Sequence, residues 1–333
     1  MKIKFLFSIL LINTLLLSYD ETSIIDETHD DISKKVILTS QYIDDTMYGL
    51  FNDTNITEPN ILKQDIENID FFYTNEKFID ETDKSFVRTR LQSNYQKFGD
   101  ENYDIKLRAY LSLSKTRKNF RLFIEDINQD NYKELPFNDT NNNDSAVAIG
   151  ISYFTLSYYD IDSKYSLGIR GTSPYIKVRY KKTFPYNGWL IEPSQSFTYS
   201  TETNFKEETK LYFDKKLDKS NLFRIELGRN TQSKEDGMEY YLAFEYFYKL
   251  NQYTGINVTQ SFLGNTKFNY TNNMETTTYS TINTYNTEIS WRQSIWKKWF
   301  FYEIKPGIDF QKVNNFKINY KVLFLTDFYF GYN

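Results

Sequence analysis

Residues 86–127 read FVRTRLQSNYQKFGDENYDIKLRAYLSLSKTRKNFRLFIEDI, three runs of strict alternation separated by two polar turns. In the middle run the odd positions are Tyr103, Ile105, Leu107, Ala109, Leu111 and Leu113, and the even positions are Asp104, Lys106, Arg108, Tyr110 and Ser112. Successive side chains of a strand point to opposite faces, so this run has one apolar and one charged face. The run before it sets Val87, Leu91 and Tyr95 against Arg88, Arg90 and Asn94. The run after it sets Phe120, Leu122 and Ile124 against Arg121 and Glu125. Gly99-Asp100-Glu101-Asn102 and Lys115-Thr116-Arg117-Lys118 supply the turns. The pattern is an antiparallel meander.

It continues to the end of the chain. Alternating segments follow at Val147–Tyr158, Tyr165–Arg170, Tyr175–Lys182, Leu190–Tyr199, Phe205–Asp214, Leu222–Gly228, Glu239–Leu250 and Gly255–Phe262, then at Thr284–Ile295, Phe300–Phe310 and Phe316–Phe330. That makes about fourteen strands, at the spacing of a membrane barrel. Connections after even-numbered strands are short, and the Tyr186-Asn187-Gly188 turn is one of them. The three long polar connections, Asn128–Asp144, Arg229–Gly237 and Leu263–Thr281, all follow odd-numbered strands. This parity supports an even count, with twelve or sixteen as alternatives. It matches a barrel with short periplasmic turns, longer outer loops and both chain ends in the periplasm.

Composition agrees. A mean hydropathy of -0.61 is too polar for a bundle of membrane helices. Yet the chain carries 29 Tyr and 28 Phe, which a barrel with aromatic girdles at both interfaces uses. A net charge of -4 gives no footprint for nucleic acid, and zero cysteines exclude disulfides and thiolate metal sites. Lys and Arg facing lipid at the bilayer midplane cost about 2–4 kcal/mol, so the charged face points into the lumen and the apolar face meets outer-membrane lipid. Pro193 and Pro306 fall on the outward face of their strands, where each removes a ladder hydrogen bond and marks a bulge or strand end.

Ahead of the barrel, Met1–Ser18 has Lys2 and Lys4 before the apolar run Phe5–Leu17, the pattern of a secretory signal. Residues 19–83 are expected to form a periplasmic helix and linker. Ile32–Phe51 reads as an amphipathic helix with Ile32, Val36, Ile43, Met47 and Leu50 on one side. That stripe either packs on the protein itself or offers a face to a periplasmic partner. Asn52–Asp83 is polar, with a second short helix expected around Leu62–Phe72.

Trp291-Arg292-Gln293-Ser294-Ile295-Trp296-Lys297-Lys298-Trp299-Phe300-Phe301-Tyr302-Glu303-Ile304-Lys305-Pro306 resembles the penultimate hairpin of an uncharacterised proteobacterial outer-membrane β-barrel family. Arg117-Lys118-Asn119-Phe120-Arg121-Leu122, Pro193-Ser194 before a strand and the Ile43-Asp44 pair are similar to that family too. So is the order of signal, short helix, spacer and barrel. The resemblance implies a bacterial outer-membrane protein inserted by the barrel assembly machinery. It brings no activity and no catalytic residues.

The chemistry-bearing residues give little for an enzyme. The single histidine, His29, stands beside Asp30 and Asp31 ahead of the barrel and reads as a solvated tail residue. No Ser-His-Asp set, zinc cluster or phosphate loop can be assembled in the barrel, and neither a cofactor nor catalysis is expected. The candidate functional constellation is the lumen charge. Arg88, Arg90, Lys106, Arg108 and Arg121 crowd the first three strands, with Lys177 and Arg179 in the sixth. Glu192, Glu208, Glu226 and Glu245 fall in strands seven to ten, and Glu303 in the thirteenth. They are expected to line the pore, with bases and acids set across it. The reading is a passive channel for small solutes. Its alternative is a closed structural or partner-binding barrel whose charges neutralise one another.

Overall fold

The computed structural model describes residues 24–48, 72–73, 85–99, 101–113, 120–126, 147–158, 161–234, 236–272, 275–294 and 297–331. The proposed signal, the Lys115–Lys118 turn and the Asn128–Asp144 connection lie outside the described residues, as does most of the spacer. Helix α1 (Ile24–Tyr48) precedes strands β1 (Phe86–Gln96), β2 (Asn102–Ser112), β3 (Phe120–Asp126), β4 (Val147–Tyr158), β5 (Ile161–Arg170) and β6 (Ser173–Lys181). Then come β7 (Phe184–Tyr186), β8 (Trp189–Ser200), β9 (Asn204–Lys216), β10 (Asn221–Gln232) and β11 (Glu239–Lys249). The last four are β12 (Thr254–Asn272), β13 (Glu275–Gln293), β14 (Phe300–Gln311) and β15 (Ile318–Phe330).

Apart from β6 and β7, strands adjacent in sequence pair antiparallel, β1 pairs with β15, and β6 pairs with β8. The sheet therefore closes as a 14-stranded barrel. Closure pairs the backbone groups that an open sheet edge would leave bare, which lipid requires. The short β7 is a side arm, pairing Phe184–Tyr186 with Trp189–Ile191 before β8 joins β6 at Ser194. Pro193 sits at that junction. The arm turns through Asn187 and Gly188, both at positive φ (47° and 78°), as two-residue hairpin loops demand. Pro306 interrupts the β13–β14 ladder, whose pairs stop at Glu288–Gly307 and resume at Trp291–Ile304.

Side chains sort as the alternation requires. Leu91, Ile105, Leu107, Ile149, Leu167 and Ile169 are exposed on the outside, while Arg88, Arg108, Arg121, Arg224, Arg292 and Asp327 are buried within. Aromatic clusters mark both ends of the outer wall. Phe300 and Phe328 (5.1 Å) and Trp189 and Phe223 (6.3 Å) sit at the rim that carries the chain ends. Tyr95 and Tyr103 (6.0 Å) and Phe197 and Phe205 (6.0 Å) sit at the far rim.

Three elements differ from the sequence reading. Leu263–Thr281 is not a loop. β12 and β13 are 19 residues each and stay paired out to Asn272–Glu275, beyond the last β11 partner, Asn265. Likewise β10 runs through Arg229 to Gln232, so the connection to β11 is shorter than Arg229–Gly237. The apolar/polar alternation that reveals strands is missing from the Leu263–Thr281 stretch of sequence.

The helix starts at Ile24, eight residues earlier than Ile32, with Asp26 and Glu27 favourably placed in its first turn. Its most buried side chains are polar, and of the expected stripe Val36 packs beside Gly331. His29, Ser33, Ser40 and Asp44 are buried, whereas Ile32 and Leu38 are exposed. Ser40 donates to the Ser112 carbonyl (2.9 Å) and lies 3.0 Å from the Ser85 hydroxyl, and Lys297 reaches Asp26 (2.8 Å). The helix lies on the chain-end rim, against β15, β1 and β2. A rim of strand ends offers carbonyls and hydroxyls, so the complementary helix face is the polar one.

Candidate functional site

The lumen has two unlike walls. Along β13, β14, β15 and β1 opposite charges meet on neighbouring strands. Arg90 is cross-strand from Asp327 and grips it through two bonds of 2.6 and 2.8 Å. Arg292 reaches the same carboxylate at 2.7 Å and Glu303 at 3.0 Å, with its guanidinium 4.7 Å from the Phe301 ring centroid. Ser290 donates to Glu303 as well. Further along, Lys321 pairs with Glu288 and Asn319 donates to Asp309 (3.2 Å). On β9 and β10 a second lock forms. Arg224 and Asp214 make two bonds of 2.6 and 3.0 Å with both side chains fully buried, and Arg224 lies between the rings of Tyr212 and Phe247. Charges taken out of water demand such partners.

At the chain-end rim the lumen is also filled by chain from ahead of the barrel. Phe72 and Tyr73 pack with Leu190, Leu222 and Phe247. The Tyr73 hydroxyl lies 2.8 Å from the carbonyls of both Tyr248 and Ile256, at the ends of β11 and β12. Burial raises the Tyr73 pKa, and the Glu303 carboxylate adds to the rise, so the hydroxyl keeps its proton. Gly255 makes room. A Cβ there would stand 2.3 Å from the Tyr73 hydroxyl and 2.7 Å from the Phe72 ring.

The other wall, from β2 around to β9, borders a cavity of about 110 Å³ that is partly open to solvent. Eight basic side chains line it against three acidic ones, Glu125, Glu192 and Glu208. Inward positions on β8 are small and hydroxylated: Ser194, Ser196, Thr198 and Ser200. Among the described residues no group of three or more His, Asp or Glu side chains could hold a metal ion.

The twelve residues expected to line the pore divide between these settings. Arg88, Arg90 and Glu303 belong to the locked wall. Glu226 accepts from Tyr241, and Glu245 stands cross-strand from Arg224. Arg121 lies over the rings of Tyr110 and Phe154, and Lys106 is 3.7 Å from Asp104. Arg108, Lys177, Arg179, Glu192 and Glu208 line the cavity.

The expected separation of bases from acids across the pore is not found. Glu192 lies 3.9 Å from Lys181 and Glu208 3.4 Å from Lys210, within the basic wall itself. Alternation assigns faces but not registers, so it could not tell which acids become neighbours of which bases. His29 is not a solvated tail residue either. It is 6 % exposed, stacks on Trp299 at 4.1 Å and lies 2.8 Å from the Tyr329 carbonyl. The sequence reading also passed over Asp327 and Asp214. Each is an acid at an inward position of a strand, and that parity was the available signal.

A closed barrel with apolar side chains outside, charges inside and aromatic girdles at both ends is a transmembrane β-barrel. The protein is of the bacterial outer-membrane class. No family model and no curated protein sequence matches the chain. Among solved structures it is similar to the KdgM porin, at 7% identity and a TM-score of 0.34, over 72% of this chain and 98% of that one. It is similar to outer-membrane OmpT of Vibrio cholerae at 6% and 0.44, over 74% and 97%. An anion-selective porin from Comamonas acidovorans gives 8% and 0.43, over 74% and 99%.

Proposed function

We propose that the protein is a passive, non-enzymatic channel for small solutes, with the chain-end rim facing the periplasm. We place it with the proteobacterial outer-membrane barrels that its motifs resemble. The observation that supports the channel is the charged cavity along the β2–β9 wall, partly open to solvent, which the ion pairs and aromatics of the opposite wall do not fill. The test is conductance of the purified, refolded chain in a planar bilayer. Discrete open-channel steps are expected, and silence across voltages would remove the channel reading.

A second reading has its own support. Helix α1 and the Phe72–Tyr73 plug both sit on the chain-end rim, as in a closed barrel that offers that rim to a periplasmic partner. A chain lacking residues 19–80 separates the two. If only the truncated barrel conducts, the intact protein is a closed one.

A further inference from the structure

Toward the far end of the ion-paired wall, away from the chain ends, the inward side chains change character. Ser261 of β12 is opposite Asn286 of β13, Asn286 is opposite Asp309 of β14, and Asp309 is opposite Asn319 of β15. One step nearer the far rim, Thr284 is opposite Gln311. There the β12–β13 register slips. Leu263 pairs with Thr284 and Gly264 with Ile282, which leaves Asn283 as the extra residue of a bulge. A bulge re-aims a side chain, and Asn283 and Thr284 are both buried although adjacent in sequence. All seven of these polar side chains on β12 to β15 are 7 % exposed or less.

Their hydrogen bonds are lopsided. The nitrogens are used. Asn319 donates to Asp309 Oδ2 (3.2 Å), Asn283 to Asn265 Oδ1 (2.6 Å), and Asn286 to Ser261 (3.4 Å) and to the Glu288 carboxylate. The oxygens are left over. Asn283 Oδ1, Thr284 Oγ1, Asn286 Oδ1 and Asp309 Oδ1 have no hydrogen-bond partner among the described residues. A buried acceptor without a donor costs stability, and four such oxygens on one patch of wall point to a ligand that needs acceptors only. Charge agrees. Glu288 and Asp309 stand here against one ammonium, Lys321, which pairs with Glu288 and lies 4.0 Å from Asp309 Oδ2. Lys305 nearby is paired with Glu303 (3.2 Å). One negative charge therefore remains beside the neutral oxygens.

We propose that Asp309, Asn286, Thr284 and Asn283 form a site for a hard divalent cation, calcium above magnesium, on the lumen wall. Side chains directly opposite across a strand pair have Cβ atoms about 4.5–5.5 Å apart. Oxygens on either side of a calcium ion, each about 2.3–2.6 Å from it, need about that separation. Calcium accepts a mixed set of carboxylate, amide and hydroxyl oxygens in irregular geometry, whereas magnesium demands a near-ideal octahedron and keeps its waters. The ion ties β13 to β14 beyond the Arg292–Glu303 pair. The site does not depend on whether the barrel conducts.

The experiment uses the refolded full chain in non-ionic detergent, stripped with EDTA and dialysed. Titration calorimetry with calcium chloride should show binding with half-saturation at about 0.1–1 mM, the range of calcium sites with few charged ligands. The melting temperature followed by circular dichroism should rise over the same range. Magnesium chloride should bind at least about tenfold more weakly, and sodium chloride of equal ionic strength should leave the melting temperature where it was. Asp309→Asn and Thr284→Val should each weaken calcium binding at least about tenfold, the factor for one lost contact of about 1.4 kcal/mol. Thr284→Val is the sharper variant. It removes an oxygen that bonds to no described residue, so without calcium it should melt at the temperature of the unmodified protein or above it, and with calcium below it.

Absence of calcium binding by the unmodified protein overturns the site. Binding that both variants retain also overturns it, since the ion then sits elsewhere. A rise in melting temperature that sodium chloride reproduces is screening alone and counts against it equally. Equal affinity for magnesium keeps the site and overturns its preference for calcium. If Asp309→Asn does not refold, Thr284→Val decides by itself.

Discussion

The wall from β13 to β1 and the wall from β2 to β9 are built by the same alternation, yet they treat inward charge differently. On the first, Arg90 grips Asp327 across the β1–β15 pair, and Arg292 reaches both Asp327 and Glu303. On the second, bases outnumber acids and face hydroxyls across the strand pairs. The first wall needs its ion pairs because its side chains are sealed from water. The second sets its charges beside a cavity partly open to solvent, with Lys181 near Glu192 and Lys210 near Glu208.

The contrast can be broken most severely at Asp327. Asp327→Asn removes the carboxylate that Arg90 grips and one of the two that Arg292 reaches, and removing one partner of such a set costs about 3–5 kcal/mol. The temperature at which the barrel loses its compact mobility in SDS gels should fall markedly. Lys177→Ala on the other wall should leave it almost unchanged. An equal fall in both would mean that the walls are not distinct.

A smaller effect is expected from Gly255→Val. Forcing added carbons into a packed position costs about 1–3 kcal/mol. The position lies against Phe72 and Tyr73, so the change should expel them from the rim. Open-channel conductance should rise while the β13–β1 wall keeps its heat resistance. Unchanged conductance would show that the plug does not narrow the path.

The smallest effect belongs to His29→Ala. Losing its stack on Trp299 removes about 0.5–1.5 kcal/mol. Limited proteolysis should then cut within α1 at protease levels that spare it in the unmodified protein, with the barrel band intact. No change in cutting would show that Ser40 and the Lys297–Asp26 pair hold the helix unaided.

Much of the barrel could be read from one chain because lipid on one side and water on the other impose a period of two. β1, β2 and β3 follow it so strictly that even Arg90, in mid-strand, receives its correct face. Outside that environment the signal fades. The Thr-rich start of β13 lacks that alternation and reads as loop. Helix α1 has an apolar stripe, but its seat is made of strand ends, and His29, Ser33 and Ser40 match those ends better than Ile32 does. Pairings are the hardest to see. Arg90 and Asp327 are 237 positions apart, and nothing local marks either as the other's partner.

The junction of β1 with β15 is the last pairing the chain can make, since it joins the first strand of the barrel to the last and closes its longest loop. Such contacts bear a large entropic cost of closure and form late. This protein reinforces that seam three ways: Arg90 to Asp327 inside the wall, His29 to the Tyr329 carbonyl beneath it, and Ser40 beside Ser85 at its edge. The seat for α1 is made from both sides of the seam, so it does not exist until the seam has closed. Helix docking thus follows closure and acts as a latch on it, and reopening the barrel at its own point of closure would first require the latch to lift.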